Sequence, residues 1–375
     1  MCYPVSVMAF DPQYTITART AKALMAAEAD RVSIEALPIL PSLIASLRES
    51  ARLLSTHYST QIEGNRLTLP EVQQVIGSRA RFPGRERDER EVRNYYRALD
   101  KAEELGTSTP DLRQRDVQVL HGLALEGKAV PTPYRDGQNV IRNGLDGSIV
   151  YMPPEAKEVA PLMKDLVDWV NREMVARELP APVIAALTHY QFATIHPYYD
   201  GNGRTSRLLA TVVMHRCGYG LKGIYALEEY YARNLEAYYG ALAVGPSHNY
   251  HLGRAEADVS GFVQYFCEGV AEAFSKVRSQ AAAQQARVGR SDQAAMTSHF
   301  RELRPLQRQA WSLFAKHRVV TSGELAVHLG LSVQQSRLQC TKWVEEGFLA
   351  VEDPSKKSRT YRLASRYEDA IKGGP

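Results

Sequence analysis

The sequence predicts a mainly α-helical fold, and three observations carry that expectation. Apolar residues recur at helical spacing in successive stretches, as in 41–57, where Leu43, Ile44, Leu47, Leu53 and Leu54 share one side. A β-hairpin signal, Asn143-Gly144 and Asp146-Gly147 with apolar residues on both flanks, interrupts the helical run in mid-chain. Beyond a polar break at Gly289-Arg290-Ser291 the chain reads as helix, helix, turn, helix and a final hairpin.

A chain of 375 residues is long enough for two or three domains, each with its own core. Its four cysteines, Cys2, Cys217, Cys267 and Cys340, lie far apart without a Cys-x-x-Cys pair, which argues against a disulfide framework or a zinc site and for a reducing compartment. Met1 to Pro12 lacks a basic segment followed by an apolar one, and no run of eighteen apolar residues occurs. A soluble cytoplasmic protein without a membrane partner is expected. The net charge of +4 is concentrated at the C-terminus, where residues 301–375 hold 13 Lys+Arg against 8 Asp+Glu, leaving 33 against 34 in the rest. Alone, that modest excess is weak evidence for nucleic acid.

Along the chain, 17–31 and 41–57 read as helices. In Ser59-Thr60-Gln61-Ile62-Glu63-Gly64-Asn65 the Gly-Asn pair signals a helix C-terminus, which places the Glu63 carboxylate where the helix dipole disfavours it and where a cation is wanted. Arg79 to Arg97 is dense in both signs, with Glu86 and Arg90 four apart, and reads as a solvated connecting helix laced with ion pairs, broken by Thr109-Pro110. A short helix follows around Val117 to Leu125, then Pro131 to Arg135, then the hairpin between Gln138 and Pro154.

Next comes His196-Pro197-Tyr198-Tyr199-Asp200-Gly201-Asn202-Gly203-Arg204-Thr205-Ser206-Arg207. Helical spacing before it (Val183, Ile184, Leu187, Tyr190, Phe192) and after it (Leu208, Leu209, Val212, Val213) makes it a loop between two helices, its second half opening the second helix. Free N–H groups and the positive end of the dipole make that an anion site. Gly201 and Gly203 let backbone approach an anion, Asn202 offers an amide donor, and Arg204 and Arg207, three apart, can each fork onto phosphate. Asp200 is a hard oxygen ligand suited to Mg2+ held together with substrate phosphates, and His196 can take a proton from an attacking hydroxyl. The set reads as phosphoryl or nucleotidyl chemistry.

This stretch resembles the signature of Fic proteins, His-x-Phe-x-(Asp/Glu)-Gly-Asn-Gly-Arg-x-x-Arg, with every polar position matched and Tyr198 standing where the family usually has Phe. The tyrosine keeps an aromatic body to anchor the loop, and its hydroxyl needs a partner. The resemblance implies transfer of AMP from Mg·ATP to a Tyr, Thr or Ser hydroxyl of a target protein and of the enzyme itself. Ser59, Glu63 and Gly64 are similar to the family's inhibitory motif, and the hairpin, closed by Tyr151-Met152-Pro153-Pro154, to its flap, which pairs with the target as an added strand and holds the acceptor hydroxyl near His196.

Glu228 to Leu242, an aromatic-rich helix by its composition, is similar to the Fic segment lining the nucleoside pocket. It matches at Asn234, Tyr238 and Tyr239 and departs at Leu235, where the family has Arg; Asn234 and Tyr239 are taken as nucleotide contacts. Residues 258–288 read as a long helix. In the C-terminal part, Leu313 and Phe314 lie on a first helix, Ser322 caps a second, Gly330-Leu331-Ser332 turns, a third runs from Val333 to Glu346, and a hairpin surrounds Asp353-Pro354. This resembles a winged helix-turn-helix, whose DNA contacts would be Gln334, Gln335 and Arg337 in the groove with Lys356, Lys357 and Arg359 on phosphates; protein contact is the alternative. The expected organisation is an inhibitory helical region (1–100), a Fic core with its flap (101–288) and a winged helix-turn-helix (289–375). The expected activity is protein adenylyltransferase, inhibited by Glu63. Against it stand a nucleotide-sensing transcription regulator, or a Fic enzyme that removes AMP or transfers another phosphate-linked group. Homo-oligomerisation is left open.

Overall fold

The computed structural model describes residues 10–368 apart from 38, 40, 78–80, 109–110, 143–146, 246, 288–302, 315–316, 356–358 and 366. The chain divides into two compact units, the larger made of the chain up to Ala36 and Leu47–Ser279, the smaller of Leu37–Ser46 and the chain from Gln280. Helices dominate both. No helix among the described residues is long and apolar enough to cross a membrane.

The larger unit is built round α7 (Ala181–Ile195), of whose residues all but Ala193 are buried. A helix apolar on every side can only sit inside others, and α7 packs against α6 (Ala156–Ala176) and α8 (Asn202–Arg216). Each neighbour offers one apolar stripe: Val159, Met163, Leu166 and Val170 on α6, Leu208, Leu209, Val212 and Val213 on α8, all buried. The expected connecting helix is α4 (Glu86–Thr107), and here the sequence reading is corrected. It carries ion pairs, Arg87 with Glu91 and Arg93 with Glu89, both at 2.9 Å, rather than the Glu86–Arg90 pair that the spacing suggested. Its other face, Val92, Tyr95, Ala98, Leu99 and Ala102, is buried at helical spacing, and α4 packs against α8 and against α5 (Gln114–Glu126). It is a core helix.

Ahead of these come α1 (Ala18–Ala36), α2 (Pro41–Ile62) and α3 (Leu69–Gly77). The hairpin forms from β1 (Ile141–Arg142) and β2 (Ile149–Tyr151), antiparallel with Ile141 opposite Tyr151; most of its turn lies outside the described residues. The aromatic segment is not one helix but two, α9 (Glu228–Arg233) and α10 (Leu235–Leu242). Asn234 breaks it at φ −143°, ψ 84°, and its side chain accepts the Ala237 N–H at 3.0 Å as the N-cap of α10, a role for which Asn is among the best residues. The last helix reaching this unit is α11 (Ser260–Arg287).

In the smaller unit, α12 (Pro305–Phe314), α13 (Ser322–Leu329) and α14 (Val333–Glu345) accompany a sheet of order β3 (Val320–Thr321), β5 (Thr360–Leu363), β4 (Leu349–Asp353). Trp311, Phe314, Leu325, Trp343, Phe348 and Tyr361 form its core. The cap of α13 is Thr321, not Ser322: Thr321 and Glu324 exchange side-chain and backbone hydrogen bonds in a capping box. Gly330, at φ +66°, makes the turn, and the Ser336 hydroxyl donates to the Ser322 carbonyl at 2.7 Å, joining α14 to α13.

Candidate active site

The loop between α7 and α8 is shaped by its own sequence. His196 ends α7 in the left-handed region (φ 51°, ψ 59°), a conformation uncommon for a residue with a Cβ, and Gly201, at φ +77°, opens α8. Asn202 closes the loop on itself: its Oδ1 accepts the Tyr198 N–H at 3.0 Å and its Nδ2 donates to the Tyr198 carbonyl at 2.8 Å. The amide expected to face a phosphate is therefore engaged within the loop, and the donors offered at this end are the backbone N–H groups of the first turn, which have no intrahelical acceptor.

Tyr198 anchors the loop as its aromatic body suggests, stacked on His121 with ring centroids 3.5 Å apart and planes 10° from parallel. Its buried hydroxyl has no partner among the described residues. His121, which the sequence reading passed over, bridges the Asp200 carbonyl (2.8 Å) and the Thr132 hydroxyl (2.8 Å), and burial keeps its pKa below the ordinary value. Arg135 is a second residue found only here. Buried, it donates to the carbonyls of His196 (3.0 Å), Gly137 (2.9 Å) and Pro154, so one guanidinium ties both ends of the hairpin segment to the loop. The nearest signal in the sequence was its place beside the Pro-rich entry to the hairpin.

His196 Nδ1 lies 3.3 Å from the Ala193 carbonyl; donating there leaves Nε2 as the acceptor. Burial is the main reason its pKa falls to about 4, with the Ala193 carbonyl opposing and the Arg135 charge assisting. The imidazole is therefore neutral, the form a base requires. Asp200 is half exposed, at 58 % of its side chain, and its Oδ1 accepts from the Gly201 N–H (2.6 Å) and from Arg204 (3.2 Å). Arg204 is buried, and its Nε and Nη1 have no partner among the described residues.

Arg207 is held more completely. Its Nε donates to the Ser59 hydroxyl at 2.8 Å, and Nη2 donates to the Ser59 carbonyl at 2.9 Å and to Glu63 Oε1 at 2.8 Å. Burial acts to lower its pKa most strongly of any single cause, but the Glu63 carboxylate together with the Tyr238 and Tyr95 hydroxyls outweighs it and the value is raised. Glu63 follows the last residue of α2, and Gly64 turns the chain at φ +89°. The Glu63 carboxylate lies over Gly203: a Cβ built on Gly203 would come within 2.2 Å of Glu63 Oε1. A carboxylate thus occupies the anion site at the start of α8.

A cleft of about 710 Å³ collects Glu63, His196, Gly203, Arg207 and Tyr239, with Arg142 and Tyr151 of the hairpin on its wall. Asn234 is not on that wall; its side chain is the cap of α10. Tyr239 is half exposed, its hydroxyl 3.4 Å from the Ile62 carbonyl. No group of three or more His, Cys, Asp or Glu able to hold a metal occurs among the described residues.

Compared with protein families, residues 111–214 match the Fic/DOC family. The chain carries a Fic domain. The match includes the loop, its anchor His121, the hairpin, all of α7 and α8 as far as Met214. Among curated relatives, the protein adenylyltransferase Fic of Drosophila willistoni is 30% identical over 197 residues, 52% of this chain and 38% of that protein. That of Drosophila melanogaster is 31% identical over 173 residues, 46% and 34% of the two chains. The chain thus spans less than two fifths of either of these relatives. A Fic family protein from Desulfovibrio desulfuricans G20 shares the fold at a TM-score of 0.57 and 24% identity, over 95% of this chain and 99% of that one. Fic-1 (aa134 - 508) from C. elegans does so at 0.57 and 24%, over 72% and 74%. The Fic domain supplies His196, Asp200, Arg204 and Arg207; Ser59 and Glu63 lie ahead of the matched residues.

Proposed function

We propose that the chain is a protein adenylyltransferase, which moves AMP from Mg·ATP to a Tyr, Thr or Ser hydroxyl of a target protein and of itself, and that Glu63 inhibits it. The observation carrying this reading is the meeting, in one cleft, of a neutral histidine with a glycine-flanked helix N-terminus and a buried arginine that an acidic side chain already occupies. The target hydroxyl oxygen attacks the α-phosphorus, its proton passing to Nε2 of His196. The new O–P bond forms as the bond to the bridging oxygen breaks and pyrophosphate leaves. Backbone N–H groups of Asn202 and Gly203, with Arg204 and Arg207, bind the phosphates and stabilise the charge that develops on them. Tyr239, on the cleft wall, is the nucleoside contact. The hairpin presents the target segment by strand pairing.

The donor set suits Mg2+: Asp200 offers an exposed carboxylate whose Oδ2 takes no hydrogen bond among the described residues, and no acidic cage surrounds it. That is the arrangement of an ion that keeps waters and shares its ligands with substrate phosphates. When bound with the nucleotide, Mg2+ supplies charge neutralisation on the phosphates.

Glu63 and a terminal phosphate are both anions and compete for Arg207. While Glu63 holds it, the nucleotide binds with its phosphates displaced and the α-phosphorus out of line with the acceptor near His196. For the smaller unit we infer a winged helix-turn-helix, in which exposed Gln334 and Arg337 of α14 enter a DNA groove and Arg359 meets phosphate. Gln335 caps α14 with its side chain, and Lys356 and Lys357 lie outside the described residues. The free Cys217, Cys267 and Cys340 suit the cytoplasm. Parallel incubations with α-labelled and γ-labelled ATP test the activity: label on protein from the α position alone is expected, and γ label would identify a kinase instead.

A further inference from the structure

α10 is a helix of eight residues, too short to hold its shape in water without tertiary contacts. It carries Tyr239 to the cleft wall, and both of its ends are tied by side chains. Asn234 caps the start. At the other end, where a helix leaves carbonyls without an intrahelical donor, Arg254 donates Nη2 to the Leu242 carbonyl and Nη1 to the Val244 carbonyl. A cation suits that end of the helix dipole.

The same guanidinium lies over the ring of Tyr151, its carbon 5.2 Å from the ring centroid. Tyr151 closes β2, and its hydroxyl donates at 2.7 Å to the carbonyl of Thr194, which stands just ahead of His196 at the end of α7. The loop that brings Arg254 back is itself fastened to the hairpin: the Met152 N–H donates to the His248 carbonyl at 2.8 Å, and the Tyr250 N–H to the Met152 carbonyl at 3.0 Å. Gly253, at φ +108°, then turns the chain into Arg254. One side chain thus joins the end of α10, the second strand of the hairpin and, through Tyr151, the end of α7, and all three border the cleft. Arg254 is only 8% exposed, no carboxylate pairs with it among the described residues, and its Nε has no partner there. Burying a cation without a carboxylate is costly, and a staple for the loop alone could use a neutral donor. Arginine offers what a neutral amide does not, a planar fork that reaches two carbonyls while its face rests on an aromatic ring.

We propose that Arg254 is a positioning residue that fixes α10, and with it Tyr239, against the hairpin, so that the nucleoside end of ATP is held in register with the strand presenting the target hydroxyl. It acts on the two walls at that end of the cleft. The triphosphate is bound elsewhere, at the start of α8 and by Arg207. The role rests on the adenylyltransferase reading above, with Tyr239 as the nucleoside contact.

The test is calorimetric titration of Glu63→Gly protein with Mg·ATP and, separately, with inorganic tripolyphosphate and Mg2+, with Arg254→Met or Arg254→Lys added singly. Tripolyphosphate lacks the nucleoside, so its affinity reports the phosphate site, while the ratio of ATP to tripolyphosphate affinity reports the walls that Arg254 ties. Arg254→Met is expected to lower that ratio about ten-fold, the size of one lost aromatic contact to a base, with tripolyphosphate affinity unchanged. Arg254→Lys keeps a charge over the Tyr151 ring and a donor for one carbonyl, so it should lower the ratio less, about three-fold. An unchanged ratio in Arg254→Met overturns the proposal, as does an equal loss of both affinities with a lowered melting temperature, which is packing alone. If Arg254→Met does not fold, Arg254→Lys decides by the same two outcomes. If Glu63→Gly protein binds tripolyphosphate as tightly as ATP, the nucleoside contact fails first and this role with it.

Discussion

His196 owes its neutrality to where the chain puts it, at the left-handed end of a buried helix with one ring nitrogen on a backbone carbonyl. On the proposed mechanism, replacing it with alanine removes the base without touching the phosphates: His196→Ala should lose about 10²–10⁴ in transfer rate while nucleotide binding, read by calorimetry, persists. The pH dependence follows from the same burial. With the pKa lowered from 6.5 to about 4, the neutral form lasts to that pH, so kcat/KM of Glu63→Gly protein should stay level from pH 8 to 5 and fall only towards pH 4. An acid limb centred near 6.5 would mean that the base is exposed. Since the folded value lies below the unfolded one, the stability that neutral His196 brings is present above pH 6.5 and lost as pH falls towards 4. At this scale the sequence was legible for placement: His196, Asp200, Arg204, Arg207 and Glu63 all lie at or beside the loop. It was not legible for Asn202, whose amide turns back to Tyr198, or for His121 and Arg135, whose partners are backbone carbonyls that carry no sequence label.

Among the elements, α7 and α8 were readable because their apolar residues repeat at helical spacing on both sides of a glycine-flanked loop. In α4, dense charge hid the buried stripe from Val92 to Ala102, and in the aromatic segment a continuous pattern hid the break that Asn234 makes by capping. The central helix carries a stability prediction. Phe192 is fully buried on α7, three residues from Ile195 and next to the loop. Phe192→Ala should cost about 3–5 kcal/mol of unfolding free energy in a denaturant titration; a loss under 1 kcal/mol would place α7 outside the core.

For the whole molecule, the smaller unit has a core of its own, drawn from Leu303 to Tyr367. Cutting near Gly289 should therefore leave residues 1–289 folded and self-labelling, as a domain with its own core permits; an insoluble or inactive product would make the C-terminal part integral to catalysis. The larger question is whether the Fic domain is restrained from within its own chain, by a helix end that precedes it. Glu63 meets Arg207 at 2.8 Å and covers Gly203, where the proposed mechanism puts a phosphate. A hydrogen bond to a charged group is worth about 1.5–3 kcal/mol, so its release should raise the rate roughly ten-fold to over a hundred-fold. The most direct measurement is self-labelling from α-labelled ATP at saturating Mg·ATP by the parent, Glu63→Gly and Glu63→Gly/Arg207→Ala proteins. The account predicts a rise of at least about ten-fold for Glu63→Gly and its loss in the double variant. Equal labelling by the parent and Glu63→Gly would contradict it and leave the Ser59-to-Gly64 segment a helix end and nothing more.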